Sequence, residues 1–241
     1  MVDSQLRRLY DQHRSDSASA IVSSGYVWSW LFRKEQRWVL EQMRSSYVTA
    51  TEHFIVDAGC GAGVMVQPLV QVDGYRVVGV DFDPAVLSTA KAMGIKAVHG
   101  DVFALPLADA SVQVVLCTQF LNQQTEAGRQ RLLAEFSRIL APEGIVVLTW
   151  RKDDAVIHQL AQWVLHRVGS NFAEFPQFRH DWDELVGNAE DVGLTVLNGG
   201  VMTLLGSTLQ APDSGRIMGI SYGVSLGRTP SVSGSNLGKF G

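Results

Sequence analysis

Val56-Asp57-Ala58-Gly59-Cys60-Gly61-Ala62-Gly63 is the stretch on which the reading of this chain turns. It ends an apolar run, Phe54-Ile55-Val56, with an acid and then three glycines at alternate positions. A short apolar run stopped by turn residues reads as a buried strand. The glycines read as the turn from that strand into a helix over Val64–Val72, with Pro68 as a break in its pattern. Glycine in such a turn permits positive φ angles and close approach of backbone to a ligand. A helix N-terminus beyond it would offer unpaired N–H groups to the ligand's polar or anionic part. Two nucleotide signatures fail here. A dinucleotide fingerprint needs Gly-x-Gly-x-x-Gly/Ala, and the third position is Val64 counted from Gly59, or Val66 counted from Gly61. A Walker loop fails because no Gly-Lys-Ser/Thr follows. What stands is Asp-x-Gly-x-Gly-x-Gly.

Downstream, strands and helices alternate. Tyr75–Val80 reads as a second strand, then Pro84–Met93 as a helix capped by Asp83, with Pro84 at its first position. Lys96–His99 and Val112–Cys117 read as strands three and four. Thr125–Leu140 is an amphipathic helix with apolar Leu132, Leu133, Phe136, Ile139 and Leu140. Pro142-Glu143-Gly144 turns into a fifth strand, Ile145–Trp150. This alternation predicts an α/β fold, a doubly wound Rossmann-like and mostly parallel sheet. Helices are expected over Asp153–Val168 and Trp182–Asp191, and last strands within Leu194–Leu205 and Ile217–Leu226, for about seven strands in all. The expected organisation is an N-terminal helical lid over 1–50 and a core over 51–228. A substrate-side insertion is expected around 152–192, and a flexible Ser- and Gly-rich tail over 229–241.

Several motifs in this order resemble the class I S-adenosylmethionine-dependent methyltransferases, within them the small-molecule, methyltransferase-11-like group. The resemblance covers roughly Phe54 to Arg151. Phe54–Val64 is similar to the family's glycine-rich first motif. Val77-Val78-Gly79-Val80-Asp81-Phe82-Asp83 is similar to its second, where an acid ends strand two. His99-Gly100-Asp101-Val102 with Leu105-Pro106 resembles its third, Val112–Gln119 its fourth, and Ile139–Thr149 the block around strand five. The resemblance implies S-adenosyl-L-methionine as cofactor and a site built from Asp57, Gly59, Gly61, Gly63, Asp81, Phe82, Asp101, Val102, Thr118 and Gln119. A carboxylate at Asp81, at the end of strand two, can accept both ribose hydroxyls, and Phe82 can lie against the adenine. By resemblance Asp101 accepts the adenine amino group and the Val102 N–H meets a ring nitrogen. Asp57 would hold the glycine loop or reach the cofactor's ammonium. Thr118 and Gln119 would flank the methionine portion and the transferring methyl. Arg33, on the lid, is a candidate clamp for the cofactor's carboxylate, with Tyr10 and Tyr26 as further lid candidates.

The activity implied is methyl transfer to a small-molecule acceptor by in-line displacement at the sulfonium methyl. The accepting atom, O, N or C, is left open. No metal is required, and a base is needed mainly for hydroxyl or carbon acids. His158, with His166 and His180, is the candidate for that role. Asn122, Gln123 and Gln124 are candidate polar contacts to the substrate. Aromatic segments Tyr26–Trp38 and Asn171–Trp182 are the expected cover of an apolar pocket, although Trp28 and Trp38 fit a core stripe equally well. Lys plus Arg number 20 against 24 Asp plus Glu, so the basic excess typical of nucleic-acid binders is missing. Strand four ends in Cys117-Thr118-Gln119-Phe120, unlike the Asn/Asp-Pro-Pro-Tyr/Phe of enzymes that methylate amino groups on adenine or glutamine. Two cysteines, no apolar stretch of membrane length and an N-terminus polar through Arg14 point to a reduced, cytoplasmic protein without nucleic-acid or membrane partners. The rival readings are an NAD(P)-dependent oxidoreductase of the same topology and a noncatalytic cofactor-binding module.

Overall fold

The computed structural model describes residues 27–45, 53–70, 72–151, 181–203, 208–209 and 219–229. Helix α1 (Val27–Ser45) precedes β1 (His53–Ala58), β2 (Tyr75–Asp81), α2 (Pro84–Ala92), β3 (Lys96–His99) and β4 (Val112–Thr118). Then come α3 (Glu126–Ile139), β5 (Leu140–Arg151), α4 (Trp182–Asp191), β6 (Leu194–Thr203), β7 (Thr208–Leu209) and β8 (Gly219–Arg228). All eight strands form one sheet in the order β3-β2-β1-β4-β5-β8-β6-β7. The first five in that order pair in parallel. β8 runs antiparallel to both β5 and β6, and β7 antiparallel to β6. The expected doubly wound sheet is therefore present, with the two-residue β7 bringing the strands to eight.

The sheet is buried on both faces, and alternation along each strand assigns its residues to one or the other. Ile55, Val114, Leu116, Ile145 and Val147 pack with Trp38, Val39 and Met43 of α1 and Ala90 of α2. Val56, Val115, Cys117, Val146 and Leu148 pack with Leu132, Leu133 and Phe136 of α3 and Leu185 and Ala189 of α4. Trp38 thus belongs to the core, its ring lying so close over Gly223 that a Cβ there would sit 2.7 Å from it. Strand order reverses between β1 and β4, and the carboxyl ends beside that reversal are where such sheets bind ligands.

Local chemistry explains most boundaries. Asp83 caps α2 by accepting from the Ala85 N–H at 2.8 Å, and Thr125 caps α3 by accepting from the Gly128 N–H. The helix expected over 64–72 is not there. Residues after Gly63 run through turns and a 3-10 turn, Gln67–Leu69, that carries Pro68 in its first turn. Pro68 lacks the N–H an α-helix would need, and Asp73-Gly74 reverses the chain within a few residues. The N–H groups of an α-helix start are consequently not what the glycine turn offers. Pro142-Glu143-Gly144 is absorbed in β5 as an irregularity: β5 advances from Leu140 to Ile145 while β4 advances only from Val112 to Val114. Residues 1–26 of the expected lid and the helix expected over 153–168, together with Tyr10, Tyr26, His158, His166, His180 and the loop 171–180, lie outside the described residues.

Candidate active site

The glycine turn is tied to β2. Gly59 and Cys60 donate their N–H groups to the Val80 carbonyl at 2.8 and 3.1 Å. Gly59, Gly61 and Gly63 have φ of +76°, +53° and +78°, the left-handed region in which a side chain is strained. Their surroundings differ. A Cβ on Gly63 would come within 2.1 Å of Ile95, and one on Gly59 within 2.9 Å of the Phe120 ring, whereas Gly61 faces open space. Gly63 serves packing between the turn and the segment after α2, while Gly59 borders a hollow.

That hollow is narrow and lies over the strand ends, lined by Gly59, Asp81, Phe82, Asp101, Val102 and Phe120, among others. The two acids read from the sequence as sugar- and purine-binding groups therefore share one site. Asp81 ends β2 and is buried. It accepts from the Gly61 N–H at 2.8 Å on Oδ2 and from the Asp83 N–H at 3.0 Å on Oδ1. Burial raises its pKa, and those backbone donors oppose the rise. Each carboxylate oxygen keeps acceptor capacity beyond its backbone bond. Asp101 also closes its own turn, accepting from the Phe103 N–H at 2.9 Å.

Asp57 is the unusual member. It is 1% exposed on β1, and neither carboxylate oxygen has a hydrogen-bond partner among the described residues. Burial, reinforced by the nearby charge of Asp81, pushes its pKa from the usual 3.8 to about 7. A buried acceptor without a donor is costly, so this carboxylate suits a cationic group brought by a ligand. The thiols of Cys60 and Cys117 are free and held protonated, first by burial and then by the charge of Asp57.

Of the other sequence candidates, Gln124 joins the hollow's lining, and Thr118, Gln119, Arg33 and Asn122 lie apart from it. Thr118 is half-buried at the end of β4, paired with Thr149. Gln119 turns its amide toward Glu35 of α1, with Nε2 3.0 Å from each carboxylate oxygen. Arg33 is exposed on α1. Asn122 braces β5, exchanging hydrogen bonds with the backbone of Arg151, while Gln124 lines the hollow. Trp182 stacks on Trp150 at 5.9 Å in the core. Glu35, Thr149 and Ser221 escaped sequence reading. One signal was available: Glu35 stands three and four residues before Trp38 and Val39, which places a carboxylate on the buried face of α1. Among the described residues no cluster suits a metal ion, and no helix is long and apolar enough to cross a membrane.

The comparisons with known proteins agree with this geometry. Residues 56–148 match the methyltransferase domain family. A probable S-adenosylmethionine-dependent methyltransferase from Mycolicibacterium smegmatis is 31% identical over 97 residues, 39% of this chain and 37% of that protein. A malonyl-[acyl-carrier protein] O-methyltransferase from Coxiella burnetii is 33% identical over 109 residues, 44% of this chain and 36% of that protein. The match thus spans little more than a third of either relative's length. Among solved structures, magnesium protoporphyrin IX methyltransferase from Synechocystis, with bound S-adenosylhomocysteine, shares the fold at a TM-score of 0.66. It is 16% identical, over 95% of this chain and all of that one.

Proposed function

We propose that this chain, whose residues 56–148 match the methyltransferase domain family, transfers a methyl group from S-adenosylmethionine to a small-molecule acceptor by in-line displacement. The observation that carries this reading is the pairing of two strand-end acids around one hollow with a third carboxylate, at the glycine turn, that has no partner among the described residues. S-adenosylmethionine supplies a methyl activated on a sulfonium. The protein's part is to bind, align and exclude water, and good alignment alone contributes about 7–11 kcal/mol. Asp81 accepts the ribose hydroxyls with the lone pairs its backbone donors leave. Asp101 and the Val102 N–H read the purine, with Phe82 against its face. Asp57 pairs with the ammonium, which supplies the donor and the countercharge its burial lacks. Thr118 and Gln119 border the methyl. Arg33 takes the cofactor's carboxylate and His158 the acceptor's proton where the acceptor is a hydroxyl. The acceptor lies under segments 26–38 and 171–182, in a cytoplasmic setting without nucleic-acid or membrane partners.

Calorimetric titration tests the cofactor. S-adenosylhomocysteine should bind and NADH should not, and the reverse result would return the chain to the oxidoreductases. Turnover of methyl-labelled cofactor with a panel of small hydroxyl, amine and carbon-acid acceptors separates an enzyme from a noncatalytic module. Arg33→Ala and His158→Ala in the same assay should raise KM for the cofactor and lower kcat, respectively.

A further inference from the structure

Glu35 gathers donors from two other places, the residue after β4 and β5. It is buried on α1. Gln119, just past β4, gives it Nε2 at 3.0 Å from Oε1 and from Oε2, and the Thr149 hydroxyl of β5 donates to Oε1. Ser221 of β8 has its Oγ 3.4 Å from the same amide nitrogen. Both oxygens of Glu35 accept from the Gln119 amide, and the same nitrogen lies against Ser221 Oγ, so the amide turns its nitrogen into this cluster. Because the amide is planar, its oxygen then faces away from the cluster, and that oxygen accepts from no described residue.

The backbone is held to the same end. Gln119 has φ of +55°, a conformation that costs a non-glycine residue free energy and persists only where the surroundings enforce it. Its N–H bonds the Thr149 carbonyl at 2.9 Å. Strand alternation would send residue 119 to the face opposite Thr118. The left-handed turn brings its side chain back to the face on which α1 lies. Its place is beside the glycine turn, since Asp57 pairs with Leu116 across β1 and β4, and the next residue, Phe120, packs on Gly59.

We propose that Glu35 is a positioning residue for methyl transfer: by clamping the amide nitrogen of Gln119 it presents the amide oxygen to the sulfonium methyl. The inference rests on the cofactor reading above. A methyl on a sulfonium carries part of the positive charge. A carbonyl oxygen accepts a weak C–H···O hydrogen bond from it and fixes its direction for in-line attack. No bond to Gln119 or Glu35 forms or breaks.

The experiment uses the full chain with S-adenosylmethionine labelled with carbon-13 in the methyl, read by proton–carbon correlation. Calorimetry with S-adenosylmethionine and with S-adenosylhomocysteine, which lacks the methyl, runs in parallel. The bound methyl proton should resonate downfield in the wild type relative to Gln119→Met, and Glu35→Gln should move it in the same direction as Gln119→Met. The preference for S-adenosylmethionine over S-adenosylhomocysteine should fall about 2- to 5-fold in Glu35→Gln, the worth of one such contact. The double variant should go no further than Gln119→Met alone, because the two side chains act as one unit. If Glu35→Gln does not fold, Thr149→Val loosens the same carboxylate with α1 intact and should move the resonance the same way. A resonance unmoved by Glu35→Gln or Thr149→Val overturns the proposal, and so does an equal loss of affinity for both ligands. Wild-type protein that binds neither ligand removes the cofactor reading and this inference together, whereas binding without the methyl shift removes this inference alone.

Discussion

Asp57 and Glu35 are two buried carboxylates at the carboxyl edge of one sheet, and the fold treats them in opposite ways. Glu35 is surrounded by donors from Gln119 and Thr149. Burial still raises its pKa, but those hydrogen bonds pull against the rise. Asp57 has no donor among the described residues, and burial pushes its pKa up to about 7. One region is complete as folded and braces helix α1 to the strand ends. The other leaves a buried carboxylate without a donor among the described residues, at a cost in stability. An unsatisfied buried charge next to a strained glycine turn marks a ligand site, and a satisfied one beside it marks the frame that holds the site in place.

The largest expected effect tests the incomplete side. A carboxylate whose native pKa is raised from 3.8 to about 7 is bound to its proton more tightly in the folded than in the unfolded chain. Apo stability from this group therefore declines as pH climbs between those two values, by about 4 kcal/mol once the group is fully ionised. Asp57→Asn should raise the Tm of the ligand-free protein at pH 8 and leave it little changed at pH 4, while weakening S-adenosylhomocysteine at pH 8. A variant no more stable than wild type at pH 8 would mean that Asp57 already has a partner.

Next comes the contrast within the turn. Gly63→Ala meets Ile95 at 2.1 Å as well as a left-handed backbone, and urea melts should show a loss of about 3 kcal/mol. Gly61→Ala meets only the backbone strain, worth about 1–2 kcal/mol. Equal losses would show that backbone strain, and not packing against Ile95, sets the cost.

Asp81→Ala should weaken S-adenosylhomocysteine by about 1.5–3 kcal/mol, the scale of hydrogen bonds to a charged group. It should also lower Tm modestly, because Gly61 and Asp83 lose their acceptor. Unchanged calorimetric affinity would take Asp81 out of the site. The smallest effect belongs to Asp101→Asn. Its amide oxygen keeps the turn to the Phe103 N–H, so the contact to the purine should weaken by about 1 kcal/mol or less. A fall in Tm without a fall in affinity would make Asp101 a turn residue only.

The parallel half of the fold and the acid side of the hollow were legible because both are written in short-range chemistry. Asp83 caps α2 and Pro84 fits its first position, and the acid after Val77–Val80 falls at the end of that strand. The helix expected over 64–72 failed for an equally local reason, Pro68 within reach of the turn at Asp73-Gly74. The brace was not legible in the same way. Nothing near Gln119 announces a left-handed residue, and Asn122, read as a substrate contact, is taken up by the backbone of Arg151.

By itself, the order of acids, glycines and apolar runs determined a doubly wound sheet with a nucleoside-binding edge, because each of those signals acts within a turn or a strand of its neighbours. Only the tertiary structure decided which carboxylates would be paired and which left bare. Glu35 meets Gln119 across 84 positions of chain and Thr149 across 114. Those meetings exist only once α1 has packed on the sheet, and only the folded core buries Asp57 with no donor for it among the described residues.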